Sequence, residues 1–367
     1  MIEDGYKLND YDKNELQRTK RFNLFEYVFG FGKHICSEFP YLFEEDIKVD
    51  EINPIGFELL NACLGKNNDE IKNLHSNLFD IDIATFEEKV IETIKFVDEM
   101  LAKIIKFRGN SRSGGRNSNK IFHSKNQIIS IIASTFREKY DINNLEQTKK
   151  TWRTSKKILE ENLLKHYVYD IIRREWGEGA LGKISTILKQ NKYLSEIPKM
   201  SWDTSLNLWF EDYMTRNEAV KVSAVREIEK VFLNCIYAPI FTAEDQLSIK
   251  KFDIEHIATK ETMKKLLKNY EGRGLPISSI ANLCLLPEYV NRAKGSKTFY
   301  HDTKYKTKVD LSEVESKYSF TQESDLEWLD LPYSENDFDV LKNYYHDFLR
   351  KRFAIQKEKF YASMKIR

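Results

Sequence analysis

The stretch FDIEHIATKETMKKLLKNYEGRGLPISSIANLCLLPEYVNRAKGSKTF, residues 252–299, decides how this chain is interpreted. Two β-prone runs, residues 251–257 and 280–286, are separated by a loop that contains glycine and proline. A short helix is predicted after them, with Pro287 in the first helical position and Glu288 in the first turn. The pattern therefore predicts a strand, a loop, a second strand and a helix.

This unit concentrates polar side chains that suit metal and proton chemistry. Asp253 and Glu255 offer hard oxygen ligands, and an asparagine carbonyl adds another, a set that suits Mg²⁺ or Mn²⁺ far better than zinc. His256 follows the acids, and a neutral imidazole can accept a proton from water near neutral pH. On the predicted helix, Asn291 and Lys294 are three residues apart and share one face. We expect all five side chains to meet in one pocket.

The order of these residues carries a resemblance to a known family. D-x-E-H-I, then N-L-x-L-L, then N-R-x-K-G, with asparagines nine residues apart, resembles the HNH, or His-Me finger, nuclease superfamily. Within that superfamily the stretch is most similar to the C-terminal nuclease domain of the GmrSD-type restriction endonucleases. The resemblance covers roughly 50 residues of motif, and the helical texture before it also resembles those proteins. It implies a ββα-metal fold and a divalent-metal-dependent DNA endonuclease that restricts foreign DNA in antiviral defence, with base modification of the target left open.

The resemblance also implies a role for each matching residue. His256 takes the position of the general base, and Glu255 and Asn291 take the positions of ligands to a Mg²⁺ ion that Mn²⁺ can replace. Asn282 takes the position of the asparagine that braces the loop bearing the histidine. Asp253 would be a second acid near the metal. The family usually has a proline two residues after the histidine, where this chain has alanine.

Other interpretations of single residues stay open. An E-H-I triplet alone is more often a hydrogen-bonded structural histidine than a catalytic one. Asn282 could be a turn asparagine, and Lys294, which we count with the catalytic candidates, could be a solvated lysine favoured by the helix dipole. Only the combination of the motifs favours a nuclease.

The nucleotide-hydrolysing module that usually precedes this family's domain has no counterpart here. Neither its DGQQR-type signature nor a G-x-x-x-x-G-K-[ST] loop occurs in the sequence. We therefore expect any NTP dependence to come from a separate NTP-hydrolysing or recognition subunit. A homo-oligomer is also left open.

Two basic runs are candidate DNA contacts. No acidic residue occurs from position 101 to 137, where Arg108, Arg112 and Arg116 lie in a segment rich in glycine, serine and asparagine. Such a segment could order on a phosphate backbone, or it could be a solvated loop. The second run, residues 291–308, follows the candidate site directly and includes Arg292 and Lys297, with interleaved aromatic residues that could stack on bases.

Composition limits the kinds of protein that this chain can be. The chain has 367 residues, and 58 basic against 57 acidic side chains leave a net charge of +1, so no global field indicates a nucleic-acid or membrane partner. The four cysteines are far apart and form no C-x-x-C pair, which favours a reducing compartment. No signal peptide or membrane-spanning run is apparent, so we expect a cytoplasmic protein.

Helical periodicity dominates the first two thirds of the chain. Leu159, Leu163, Tyr167 and Ile171 recur every four residues, which predicts a long helix that Gly177 ends. Further predictions are a capping box of Thr85 with Glu88, a helix capped by Ser223, and a tail helix from Ser334 whose apolar side includes Phe338, Leu341, Tyr345, Phe348 and Leu349.

We therefore predict a mainly α protein with a small α+β unit. It would comprise a helical domain (1–238), an HNH ββα-metal nuclease domain (239–320) and a C-terminal helical segment packing on both (321–367). Two other functions stay open: a non-cleaving DNA-binding subunit of a defence complex, and a helical interaction protein with a degenerate nuclease domain.

Overall fold

A computed structural model describes residues 23–43, 49–65, 73–78, 81–106, 121–177, 180–241, 252–294, 298, 300 and 310–367. This part of the chain is mainly helical, with two small antiparallel sheets of two strands each. The predicted combination of a mainly α chain with a little β structure is thereby confirmed. No helix within the described ranges carries an apolar stretch long enough to cross a bilayer.

The helices and strands are numbered in chain order. The first group is α1 (Leu24–Glu38), α2 (Val49–Cys63), α3 (Leu74–Leu78), α4 (Ile83–Ile105), α5 (Lys125–Lys139), β1 (Tyr140–Asp141), β2 (Asn144–Thr148), α6 (Trp152–Arg173) and α7 (Ala180–Gln190). The second group is α8 (Lys199–Met214), α9 (Glu227–Tyr237), β3 (Phe252–His256), α10 (Lys260–Leu267), β4 (Leu283–Pro287), α11 (Glu288–Lys294), α12 (Leu311–Glu313) and α13 (Phe338–Met364).

The chain divides into two compact units. The first comprises Met1–Ala102 and Phe122–Ile197, and the second comprises Lys103–Ile121 and Pro198–Arg367. The boundary that the sequence suggested after residue 238 lies inside the second unit, between α9 and β3.

The first unit is a helical bundle around α5. This helix packs against α2, α6 and α7, and its apolar residues are buried all round, as expected of a central helix. Helices α1 and α2 approach each other closely, because a Cβ on Gly32 would lie 2.6 Å from the carbonyl oxygen of Ile52. A Cβ on Gly56 would lie equally close to the carbonyl oxygen of Val28. Glycine is required at both positions.

The second unit joins β3 and β4 to helices. Strand β4 packs on α9, helix α11 packs on both strands, and α13 packs on α9 and on a 3₁₀ turn, Ile280–Asn282. The predicted tail helix is present as α13, although it begins at Phe338 and not at Ser334, and all five residues predicted on its apolar side are buried.

Helix ends differ from several predictions. Helix α4 begins at Ile83, where the Asp82 carboxylate accepts from the Ala84 amide, so the predicted cap at Thr85 is wrong. Helix α6 ends at Arg173 because Arg174 adopts a left-handed conformation, three residues before Gly177. The helix assigned to Ser223 begins four residues later, at Glu227.

Candidate functional site

The candidate site is built on β3, β4 and the helix that follows them. The strands pair antiparallel, with Phe252 opposite Pro287 and His256 opposite Leu283. Helix α11 begins at Glu288, so Pro287 ends the strand instead of starting the helix. The predicted runs thus supply the two strands, but helix α10 lies between them where a loop was predicted, so the order along the chain is strand, helix, strand, helix.

A buried polar contact joins the helix to the first strand. The Asn291 side chain on α11 donates from Nδ2 to Oδ2 of Asp253 on β3, over 2.8 Å. Asn291 is 5 % exposed and Asp253 is 9 % exposed. The structure therefore brings together two of the side chains that the sequence marked as metal ligands.

Glu255 and His256 end the same strand. Because side chains alternate along a strand, Glu255 lies on the face of β3 that carries Asp253. Its Oε1 accepts a hydrogen bond from the His256 backbone amide over 3.1 Å. His256 is the last strand residue and is 4 % exposed, so the described conformation gives bulk water little access to its ring.

Asn282 ties down the loop that follows His256. Its Oδ1 accepts from the Ala258 amide over 2.8 Å, and its Nδ2 donates to the carbonyl oxygens of Ala258 (3.0 Å) and Ile277 (2.9 Å). The backbone carbonyl of Asn282 also accepts from the Ile257 amide. The side chain is fully buried. Asn282 thus fixes the backbone of the two residues after the histidine.

Two residues of α13 that our sequence analysis missed hold Asn282 in place. Arg352 donates to the carbonyl oxygen of Ala281, and Gln356 donates from Nε2 to the carbonyl oxygens of Ile280 (3.2 Å) and Leu283 (3.1 Å). Both residues are buried and lie four positions apart. The sequence did contain a signal for them. Both residues continue the apolar stripe of α13 at helical spacing, and a polar side chain on a buried face needs a hydrogen-bond partner.

The other side of this segment is held by a buried carboxylate. Glu218 accepts from the Ser278 amide (2.7 Å), the Ser278 hydroxyl (2.6 Å) and the Ser223 amide (3.1 Å). Burial alone would raise the pKa of Glu218, but the hydrogen bonds from Ser223 and Ser278 outweigh it and lower the pKa below its ordinary value. Glu218 is therefore a structural anion under the candidate site.

The candidate site offers oxygen atoms as metal ligands. Across the described ranges, no three His, Cys, Asp or Glu side chains come close enough together to hold a metal ion. What the site offers is two carboxylates, Asp253 and Glu255, and the amide carbonyl of Asn291. Mg²⁺ is commonly held by one or two carboxylates with water completing its octahedron, so these hard oxygens suit Mg²⁺ or Mn²⁺ better than zinc.

The other predicted site residues cannot be placed at the site. Arg292 and Lys294 lie on α11, but the structure does not describe their side chains. Lys297 and the arginines Arg108, Arg112 and Arg116 lie outside the described residues altogether. Their assignments stay predictions.

We expect Asn282→Ala to destabilise the second unit markedly. The change leaves the amide and carbonyl of Ala258 and the carbonyl of Ile277 buried without their partner, at a cost of about 1–3 kcal/mol for each group. Asn282→Asp should also destabilise, because it sets a carboxylate against two carbonyl oxygens. Thermal and denaturant unfolding measure both. Exposed Asn336 on the loop before α13 offers a matched control, and an Asn282→Ala protein as stable as Asn336→Ala would contradict the bracing role.

Comparison with known proteins identified no relative of this chain. No family model matches the chain, and neither a curated protein nor a solved structure is significantly similar to it.

Proposed function

We propose that this chain is a divalent-metal-dependent endonuclease that hydrolyses phosphodiester bonds in DNA. The observation that carries the proposal is the buried hydrogen bond between Asn291 and Asp253. It joins α11, which follows directly on β4, to the paired strand β3 that ends in Glu255 and His256. The resemblance supports Asp253, Glu255, His256 and Asn291 together, and the described contacts join two of them, Asp253 and Asn291.

His256 would act as the general base. Its imidazole would take a proton from the attacking water, and the oxygen of that water would form the new bond to phosphorus as the bond to the leaving oxygen breaks. The loop after His256 is held through Asn282, so the backbone next to the histidine is fixed. A base that is held in place needs no reorganisation at the moment of reaction.

The acids and Asn291 would form the metal site. Glu255 and Asn291 would ligate Mg²⁺, with Asp253 beside them as a direct ligand or as the partner that orients Asn291. When bound, the ion supplies positive charge that stabilises the leaving oxygen. Asp253 accepts from the nitrogen of Asn291, which leaves the amide oxygen of Asn291 as the atom to face a cation.

The wider role that we propose rests on the motif resemblance. Similarity to the nuclease domain of GmrSD-type enzymes supports restriction of foreign DNA in the cytoplasm, as part of antiviral defence. A separate polypeptide would supply NTP hydrolysis or target recognition. Cleavage of plain and base-modified plasmids side by side tests the substrate preference.

Glu255→Gln and Asn291→Ala should lose activity through weaker metal binding. Raising the Mn²⁺ concentration should therefore restore part of their cleavage, whereas it should not restore His256→Ala, which lacks a base and not a ligand. Exposed Glu271 is a matched control, because Glu271→Gln removes one carboxylate of the same unit away from the site. Should the Mn²⁺ dependence of the Glu255 and Asn291 variants equal that of Glu271→Gln, neither residue is a ligand.

A titration with Mn²⁺ alone tests the proposal against the two other functions. A nuclease binds the ion and cleaves DNA. A DNA-binding subunit that has lost catalysis binds the ion and DNA without cleavage. An interaction protein with a degenerate site binds no ion, and that result would overturn the proposed function.

A further inference from the structure

Helix α10, which begins four residues after His256, carries an exposed row of positive charge. Lys260, Lys264 and Lys268 follow one another at intervals of four residues and so share one face, which we call the lysine stripe. All three are exposed. Lys268 caps the helix in a helical conformation and therefore continues the same face.

The packing of α10 fixes the direction of the stripe. Met263 is fully buried and Leu267 is 4 % exposed, so one face of the helix is anchored in the second unit. The stripe lies along the edge of that face, about 80° around the helix axis from its centre. The fourth lysine of the helix, Lys265, pairs with Glu261 over 2.9 Å. No carboxylate of the described residues lies within ion-pair distance of the three stripe lysines.

Helix stability accounts for only part of the stripe. Lys264 in the last turn and Lys268 at the C-cap complement the helix dipole, but Lys260 occupies the first position of the helix, where a positive charge opposes it. Like charges four residues apart also repel each other, and the stripe contains two such pairs. The position of Lys260 and the two like-charge pairs favour a role in binding an anionic partner.

The stripe starts beside the candidate site. Thr259 caps α10 and belongs to the same loop that Asn282 fastens, so the start of the helix is held relative to His256. Four residues span at most about 14 Å, comparable to the Debye length of about 10 Å at 0.1 M salt. Each further lysine lies about 6 Å along the helix axis.

We propose that the lysine stripe of α10 binds the phosphate backbone of the DNA that the candidate site would cleave. This inference rests on the proposed function, whose substrate it would position. The stripe reads no bases, because lysine acts on phosphate as a point charge, so it sets the register of the strand and not the sequence that is cut.

The test measures duplex binding by fluorescence anisotropy in EDTA, where cleavage is absent. We expect the triple variant Lys260→Gln, Lys264→Gln and Lys268→Gln to lower the slope of log affinity against log salt by up to about 2.7, which is about 0.9 for each phosphate that a lysine no longer neutralises. Between 50 and 200 mM salt the parent protein should then lose about 40-fold more affinity than the variant. The variant should melt close to the temperature of the parent, because it removes one lysine that opposes the helix dipole and two that complement it.

Two controls make the result specific. Lys265→Gln removes a paired lysine from the same helix and should leave the slope unchanged. Changing three exposed lysines of the first unit, Lys150, Lys157 and Lys189, to glutamine removes the same net charge and should also leave it nearly unchanged.

The outcomes separate this inference from the proposed function. A flattened slope in a protein that never cleaves DNA would sustain the stripe and overturn the nuclease. An unchanged slope in a protein that does cleave would overturn the stripe alone. The stripe is also overturned if its removal weakens binding to an acidic peptide but not to the duplex.

Discussion

Replacing His256 with alanine should lower the rate of DNA cleavage by about 10²–10⁴-fold, the usual contribution of a positioned general base. Affinity for DNA should change little, because the imidazole acts on the attacking water and not on the phosphate backbone. Single-turnover cleavage at saturating DNA measures the chemical step, and anisotropy measures binding.

A second variant and a control separate catalysis from folding. His256 is buried, so His256→Asn, which keeps more of the side-chain volume, should fold like the parent and still fail to cleave. His346 lies on α13 in the same unit, and His346→Ala should keep full activity. Equal cleavage by the parent and both His256 variants would refute the assignment of the base.

Arg352→Met should destabilise the second unit by about 3 kcal/mol, because several buried acceptors lose their donor at once. The guanidinium donates to the carbonyl oxygens of Ala281 and Ser319 and to the Thr321 hydroxyl, and it is 2 % exposed. Burial lowers the pKa of Arg352 below its ordinary value, against opposing contributions from Tyr237 and Cys284. For a unit of this size the melting temperature should fall by about 6–12 °C.

The neighbouring arginine on α13 provides the control. Arg350 is exposed, so Arg350→Met should change the melting temperature by no more than a degree or two. Arg352→Lys should recover only part of the stability, because an ammonium cannot reproduce the fork of donors that reaches two separate segments. If Arg352→Met is as stable as Arg350→Met, the guanidinium does not hold the segment that carries Asn282.

Helix interiors could be predicted from the sequence because periodicity reports burial directly. Leu159, Leu163 and Tyr167 are buried on α6, as their spacing predicted, whereas Ile171 at the end of the predicted series is only partly buried. Helix ends were harder to predict from the sequence, because several neighbouring side chains can cap the same terminus. Thr85 and Glu88 fit a capping box, yet Asp82 accepts the amide hydrogen bond one turn earlier.

The strands and the helix of the candidate site could be predicted, but the contacts that organise them could not. Spacing places Asn291 on a helix, whereas only the pairing of β3 with β4 brings that helix against Asp253. The support from Arg352 and Gln356 crosses about 70 residues of sequence, a separation at which no local pattern specifies a partner. Local periodicity predicts helices and strands, whereas polar contacts between residues far apart in the sequence can be identified only once the fold is known.

The most direct test of the central claim is cleavage of supercoiled plasmid by the purified protein with Mg²⁺ and with EDTA, on plain and base-modified DNA. Our account predicts nicked or linear product with Mg²⁺, none with EDTA, and none from His256→Ala with Mg²⁺. Plasmid that stays supercoiled with Mg²⁺ and Mn²⁺ on both kinds of DNA, or that is cut equally in EDTA, would contradict it.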